Sequence, residues 1–264
     1  MDIISSEQNP WIKKLRALKK RKHRHENQQF VVEGIRFCAE AILHNADLEA
    51  IFISEEIINQ CNIRELLKNY RGKIFVVEKN LLEKSLSTVT PQGIAGIVKM
   101  PVWDLAQVFD RGTTFLILDG VQDPGNLGTI IRTSLAAGVH GIFCLKGTVD
   151  IYNDKTLRST MGAIFKLPVF YVEDKDLLLT KLKEQDIKLV LTDINASTFH
   201  FQIKYPPKVA IVLGSEALGI QQFETGDYAV KIPLEPNSES LNVAVAGAII
   251  IYEVIRQRIE QKML

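Results

Sequence analysis

Three short segments of the 264-residue chain hold side chains whose types and settings could do chemistry. The first runs from Asp119 to Gly128 and reads DGVQDPGNLG, with Arg132 shortly after it. A glycine-rich loop between an apolar strand and a helix start can hold an anion, because the first helical N–H groups have no partner inside the helix. Neither a GxGxxG nor a GK[ST] spacing is present, which excludes a dinucleotide or triphosphate fingerprint and the dehydrogenase that would go with it. Asn126 is the expected cap of the following helix. Arg132 falls on that helix's second turn, where a guanidinium either pairs with a carboxylate or reaches a ligand phosphate.

The second segment, Ile211 to Gly219 (IVLGSEALG), ends an apolar strand in Gly214. Without a Cβ there, a ligand can approach the backbone closely. Glu216 is either a helix-start carboxylate or, if both meet at one sheet edge, the partner of Arg132. The third segment begins at Ile232. In it Ser240 is the expected cap of the last helix, and Asn242 lies among Leu241, Val243 and Val245, where a polar side chain must find a partner. Ala244, Ala246, Gly247 and Ala248 would let that helix pack closely. His23, His25, His44, His140 and His200 form no metal-type spacing and Ser197 has no GxSxG context, so neither a metal centre nor a hydrolase triad is expected.

Positioning these segments requires a sheet, and the chain alternates accordingly. Residues 7–24 predict one helix with Trp11, Ile12, Leu15 and Leu18 as its apolar stripe. A strand over 28–33 and a helix over 34–44 follow, the latter with Ile35, Cys38, Ala39 and Ile42 on one face. Next come a strand at 50–53, a helix at 55–70, a strand at 73–77, a helix at 80–87 and a strand at 94–99. The stretch 101–112, with Pro101 at its start and Gly112 at its end, reads as a domain junction. Beyond it, strands at 114–118, 141–145, 169–172, 188–191 and 209–213 alternate with helical stretches, among them 127–137, and a helix from Ser240 to about Gln261 closes the chain. The expected fold class is α/β, with a small N-terminal α/β domain over 1–100 and a mostly parallel α/β domain over 112–264. Ligands of such sheets sit at the carboxyl ends of the strands, here the loops after Leu118, Leu191 and Leu213.

At 46% hydrophobic and 24% charged residues the composition is that of a globular domain, not of a disordered or collagen-like chain. The longest apolar run, Val243 to Tyr252, is about half of what a membrane span needs. The start MDIISSEQNPW has no secretory pattern, and Cys38, Cys61 and Cys144 are widely spaced, so a reducing, cytoplasmic setting is expected. Net charge is only +1, but Lys13, Lys14, Arg16, Lys19, Lys20, Arg21, Lys22 and Arg24 crowd the first 25 residues against Asp2 and Glu7. A basic head on a mildly acidic body suggests a polyanion partner.

The three segments together resemble the SpoU (TrmH-like) branch of the α/β-knot RNA methyltransferases. Asn126-Leu127-Gly128 with Arg132 matches that family's motif one. Leu213-Gly214-Ser215-Glu216 with Gly219 matches motif two, and Ile232-Pro233 with Ser240-Leu241-Asn242-Val243 matches motif three, in order over 114–258. Phe30-Val31-Val32-Glu33-Gly34 resembles the family's substrate-binding domain. The resemblance implies a C-terminal trefoil knot, S-adenosylmethionine held by Thr192, Gly214, Ile232 and Leu241, a homodimer, and methyl transfer to an RNA ribose 2′-hydroxyl. Arg132 would act as general base or, since arginine stays protonated, as a phosphate-orienting group that stabilises the alkoxide. Glu216 would orient its guanidinium, and Asn126, Ser240 and Asn242 would bond ribose, phosphate or Arg132. Lys13, Lys14, Lys19, Lys20, Arg21, Lys22 and Arg24 would bind RNA. Ribosomal RNA is favoured over tRNA by the N-terminal domain, and a non-catalytic RNA-binding assembly factor is the reading from a different class.

Overall fold

The computed structural model describes residues 3–261. The chain packs as two units, Met1–Val102 together with Tyr152–Phe165, and Trp103–Ile151 together with Lys166–Leu264.

The first unit opens with β1 (Ile3–Ile4), α1 (Pro10–Ala17) and α2 (Arg21–Asn27). The single helix expected over 7–24 is thus two. Asn9 and Pro10 start α1, the Asn9 side chain accepting from Trp11 N at 2.9 Å. No apolar residue follows Leu18 to continue the stripe, and Lys20 is extended. The buried Arg24 guanidinium then turns back to donate to Leu18 O (3.1 Å) and Lys19 O (2.7 Å), satisfying carbonyls that a continued helix would have used. After β2 (Gln29–Glu33) and α3 (Ile35–Leu43), the fully buried residues of the helix are Cys38 and Ala41, a face rotated from the expected one. Next come β3 (Leu48–Ser54), α4 (Cys61–Lys68), β4 (Lys73–Val77), α5 (Lys79–Ser85) and β5 (Ile94–Lys99). The helix expected from Glu55 begins only at Cys61, because the Ser54 carbonyl and hydroxyl hold residues 56–58 in turns. The sheet order is β1-β4-β3-β5-β2, with β5 antiparallel to both neighbours. Ile12, Leu15 and Leu18 pack on one face with Phe52, Val77, Leu82 and Ile97.

The stretch expected as a bare junction contains α6 (Leu105–Arg111), capped by Asp104 through Ala106 N at 2.9 Å. The second unit continues with β6 (Thr114–Asp119), α7 (Pro124–Ala136) and β7 (Gly141–Cys144). Then α8 (Asp154–Thr160) and a short 3-10 turn, Ala163–Phe165, fall in the segment that packs with the first unit. The chain returns through β8 (Val169–Tyr171), α9 (Lys175–Glu184), β9 (Lys188–Thr192), β10 (Thr198–Phe199), β11 (Val209–Gly214), β12 (Tyr228–Lys231) and α10 (Val243–Glu260). All seven strands are parallel, in the order β10-β12-β9-β11-β6-β7-β8. Every residue of β6 and β11 is buried, as central strands of a sheet covered on both faces require. Both helices of interest begin away from their expected caps. Asp123, not Asn126, caps α7, with Pro124 at its first position. Asn242, not Ser240, caps α10 through Ala244 N and Val245 N. No helix among the described residues is long and apolar enough to cross a membrane.

Candidate active site

The register of the central strands sets Gly214 opposite Asp119, so the loops after β11 and β6 leave the sheet side by side. Asp119 is buried, and its carboxylate clamps the neighbouring loop. Oδ2 accepts from Gln221 N (2.7 Å) and Gln222 N (2.8 Å), and Oδ1 from Gln222 Nε2 (2.6 Å). Those bonds fold residues 215–222 back over the end of their own strand. Ser215 and Gly219 pair there through reciprocal bonds of 3.0 and 2.9 Å, with Gly219 at φ +67°. Gly214 is required by this return, because a Cβ on it would lie 2.1 Å from Gly219 C and 2.3 Å from Ile220 N. The side of Gly214 on which a Cβ would project is filled by the chain's own backbone, so close packing of the returning loop already requires a glycine there.

The folded loop presents Glu216 to α7. Glu216 Oε1 accepts from Asn126 Nδ2 at 2.5 Å, and Asn126 Oδ1 accepts from Asn242 Nδ2 at 2.9 Å. Asn242 Oδ1 in turn takes the first N–H groups of α10. One oriented polar chain therefore joins all three motifs and ends on a carboxylate. It borders a cleft of about 410 Å³ lined by Gln122, Asp123, Asn126, Ser215, Glu216 and Leu218.

Arg132 does not join this chain. It is exposed on α7 with no hydrogen bond or ion pair among the described residues. Six residues beyond Asn126, it lies about 240° further round the helix. Glu216 therefore orients Asn126 instead of the expected guanidinium. Ser240 is exposed and likewise unbonded. At the other positions expected to hold the cofactor, Thr192 ends β9 with its hydroxyl donating to Val212 O at 2.8 Å. Ile232 and Leu241 carry backbone N–H groups that find no partner among the described residues.

In the first unit the basic segment divides by use. Lys14 donates to Glu49 at 2.6 Å, Lys19 to Leu86 O at 2.7 Å, and Arg24 is buried in the α1–α2 turn. Lys13, Lys20, Arg21 and Lys22 remain exposed. Burial pushes the Cys38 and Cys144 thiols up to about 12, which keeps them protonated and unreactive. Asp119 is the structural participant that motif reading missed. Its signal was an acid closing the otherwise apolar run TFLILD.

Comparison with known proteins decides the family. The SpoU rRNA Methylase family matches residues 113–252, and the MRM3-like substrate binding domain matches residues 9–96. The chain belongs to the SpoU methylase family. It is 31% identical over 256 residues to the 23S rRNA (guanosine(2553)-2′-O)-methyltransferase RlmP of Bacillus subtilis, covering 96% of this chain and 99% of that one. The solved structure of the SpoU methyltransferase AviRb from Streptomyces viridochromogenes with AdoMet superposes with a TM-score of 0.88 at 28% identity, covering 96% and 99% of the two chains. An RNA 2′-O ribose methyltransferase structure gives 0.80 at 29% identity, covering 98% and 100%. This SpoU methylase is an RNA methyltransferase that uses S-adenosylmethionine.

Proposed function

We propose that this SpoU methylase methylates a ribose 2′-hydroxyl of ribosomal RNA, working as a cytoplasmic homodimer. The observation that carries the reading is the polar chain Asn242–Asn126–Glu216, which ties the three motifs together at the edge of one cleft. The 2′-hydroxyl and the ribosomal target are those in the name of the RlmP relative.

Thr192, Gly214, Ile232 and Leu241 would hold the cofactor. The donor set fits an adenosyl group: the unpaired N–H groups of Ile232 and Leu241 beside aliphatic side chains suit a heterocycle with a polar edge and apolar faces. Bound there, S-adenosylmethionine supplies an electrophilic methyl group. The protein's own contribution is chiefly positioning, since a substitution at carbon needs an aligned nucleophile. Asn126 is fixed from both sides and so offers an oriented amide to the ribose, while Ser240, free of other bonds, is available to the phosphate. Arg132 lies on another face of α7 from Asn126 but has an uncommitted guanidinium, suited to a bidentate contact with a neighbouring phosphate. Through that contact it would steady the negative charge as the 2′-oxygen attacks the methyl carbon and gives its proton to solvent. The C-terminal knot that the resemblance implies is part of the same proposal.

Along α10, the small residues Ala244 and Gly247 face inward, and a Cβ on Gly247 would lie 2.7 Å from Leu213 Cδ1. These two serve packing within the chain. Val245, Tyr252 and Ile259 instead repeat on one exposed stripe, an apolar surface suited to a second copy. Two measurements test the reading. Mapping 2′-O-methylation in RNA from cells with and without the protein should show one ribosomal position lost, and loss of a tRNA position or of none would refute it. Sedimentation should give a dimer that Tyr252→Glu converts to monomer.

A further inference from the structure

The first unit contains a second cavity, of about 370 Å³, that the methyl-transfer site does not use. Its apolar wall is made by Phe37, Leu86, Ile94 and Met161, the last exposed in a left-handed conformation (φ 50°) just after α8. Its polar wall is the loop 87–92. That loop is held by Glu33, whose carboxylate accepts from Ser87 N (2.8 Å), Thr88 N (3.0 Å) and Thr88 Oγ1 (2.5 Å). Gln92 Oε1 accepts from Ile35 N at 2.9 Å, which leaves its amide N–H groups unused, and the Thr90 hydroxyl has no partner. Gly34 stands at φ +97°, where a Cβ would sit 2.9 Å from Gln92 Oε1. Glu33-Gly34 of the FVVEG motif therefore builds this cavity. The charges around it are nearly all committed: Glu33 to the loop, Glu40 to His44 at 3.3 Å and Arg158 to Asp154 at 3.2 Å. Of the charged side chains on the lining, Arg36 is the one that is exposed with no partner among the described residues.

We propose that this cavity receives one unstacked nucleobase of the RNA substrate, with Arg36 on the adjoining phosphate. An aromatic face, a thioether, a free amide donor, a free hydroxyl and an unpaired guanidinium at the mouth match a base's faces, its hydrogen-bonding edge and its phosphate in turn. An A-form duplex hides base faces, so the nucleotide taken must come from a loop, bulge or strand end. The cavity lies at the small end of the range for ligand sites, enough for one base and not for a helix. The inference rests on RNA being the substrate and adds where, and in what form, the first unit grips it.

The test uses the full-length protein and in vitro transcribed ribosomal RNA carrying 4-thiouridine. Photocrosslinking of the wild type followed by peptide mapping should place a crosslink on the peptide holding Phe37 or that holding Met161. Thr90 is exposed, so Thr90→Trp should plug the mouth without unfolding the unit. It should weaken RNA binding at least tenfold while leaving S-adenosylmethionine affinity, melting temperature and the salt slope of binding unchanged, because no charge is removed. Arg36→Gln should instead lower the log–log salt slope by about 0.7, the value of one neutralised phosphate. Wild-type RNA affinity in Thr90→Trp, or crosslinks that avoid both peptides, would overturn the proposal. If the wild type transfers no methyl group to RNA in the same preparation, it is the functional reading that fails and not the pocket, which the binding arms judge separately.

Discussion

Gly214→Ala separates two accounts of the motif-two glycine. The added Cβ would lie 2.1 Å from Gly219 C and 2.3 Å from Ile220 N, and ordinary van der Waals separation begins near 3.4 Å, so the returning loop must retreat by more than 1 Å. Such a shift breaks the Ser215–Gly219 pair and pulls Gln221 N and Gln222 N from the buried Asp119 carboxylate. Overpacking typically costs about 1–3 kcal/mol, and each broken hydrogen bond about 1 kcal/mol net. A destabilisation of roughly 3 kcal/mol is expected, since the loop is partly exposed and can relax. For a chain of this size that corresponds to a fall of roughly 6–12 °C in melting temperature. Scanning calorimetry measures it, and titration calorimetry on protein still folded at about 15 °C reads cofactor affinity, which should fall only as the loop shifts. If the glycine instead existed to admit the ligand, the variant would melt like wild type and fail to bind S-adenosylmethionine. That outcome would refute the packing argument.

Arg132→Ala should lower single-turnover methyl transfer at least a hundredfold, about 2.7 kcal/mol of transition-state stabilisation, with no change in melting temperature because the side chain braces nothing. Transfer near the wild-type rate would remove Arg132 from the chemistry. Replacing Lys13, Lys20, Arg21 and Lys22 by Gln should reduce the salt slope of RNA binding by about 0.7 for each phosphate no longer neutralised, as filter binding across a salt series would show. Arg24→Gln should destabilise the fold instead, since it strips donors from Leu18 O and Lys19 O. His140 is held below its usual pKa by burial and by Arg258. A depressed folded value favours the neutral ring, so the stability it contributes is present above about pH 6.5 and is lost as pH falls through the folded value. The melting temperature should therefore drop more between about pH 7 and pH 5 in wild type than in His140→Gln, and parallel curves would contradict the assignment.

Runs such as Lys73–Val77 and Ile94–Lys99 are readable to the residue, because a half- or fully buried strand imprints its whole length on the apolar pattern. The pairs Ile3–Ile4 and Thr198–Phe199 are not, since two residues carry no period and become strands only through their neighbours. Cap assignments failed where two good cap residues lie close together. Asp123 precedes Pro124, and that proline, favoured at the first helical position, marked the start of α7. Ser240 and Asn242 carry no such marker, and only the packing of Val243 and Ala244 decides between them. At the site, motif spacing identified residues that do converge, Asn126, Glu216 and Asn242. Charge complementarity alone pairs Glu216 with Arg132, but the rotation along α7 carries Arg132 away and Glu216 bonds Asn126. Asp119 is invisible as a clamp in the sequence, since its partners, two backbone N–H groups and the Gln222 amide, lie about a hundred residues later in the chain.

The excursion Tyr152–Phe165 bears on how RNA targets could be exchanged between such enzymes. Phe165 lies 6.2 Å from Phe30 and 5.5 Å from Phe37, and Tyr152 lies 4.9 Å from Phe30, ring centre to ring centre. A chimera that transplants only residues 1–102 from a relative would leave these rings, and Met161, facing a foreign surface. The two units are thus written into interleaved stretches of the gene, and a transplant of the whole first unit needs two pieces: the first hundred residues and a fourteen-residue insert between β7 and β8. Substrate range in a chain of this layout would drift through paired changes in those two stretches, more slowly than in one whose domains join at a single linker.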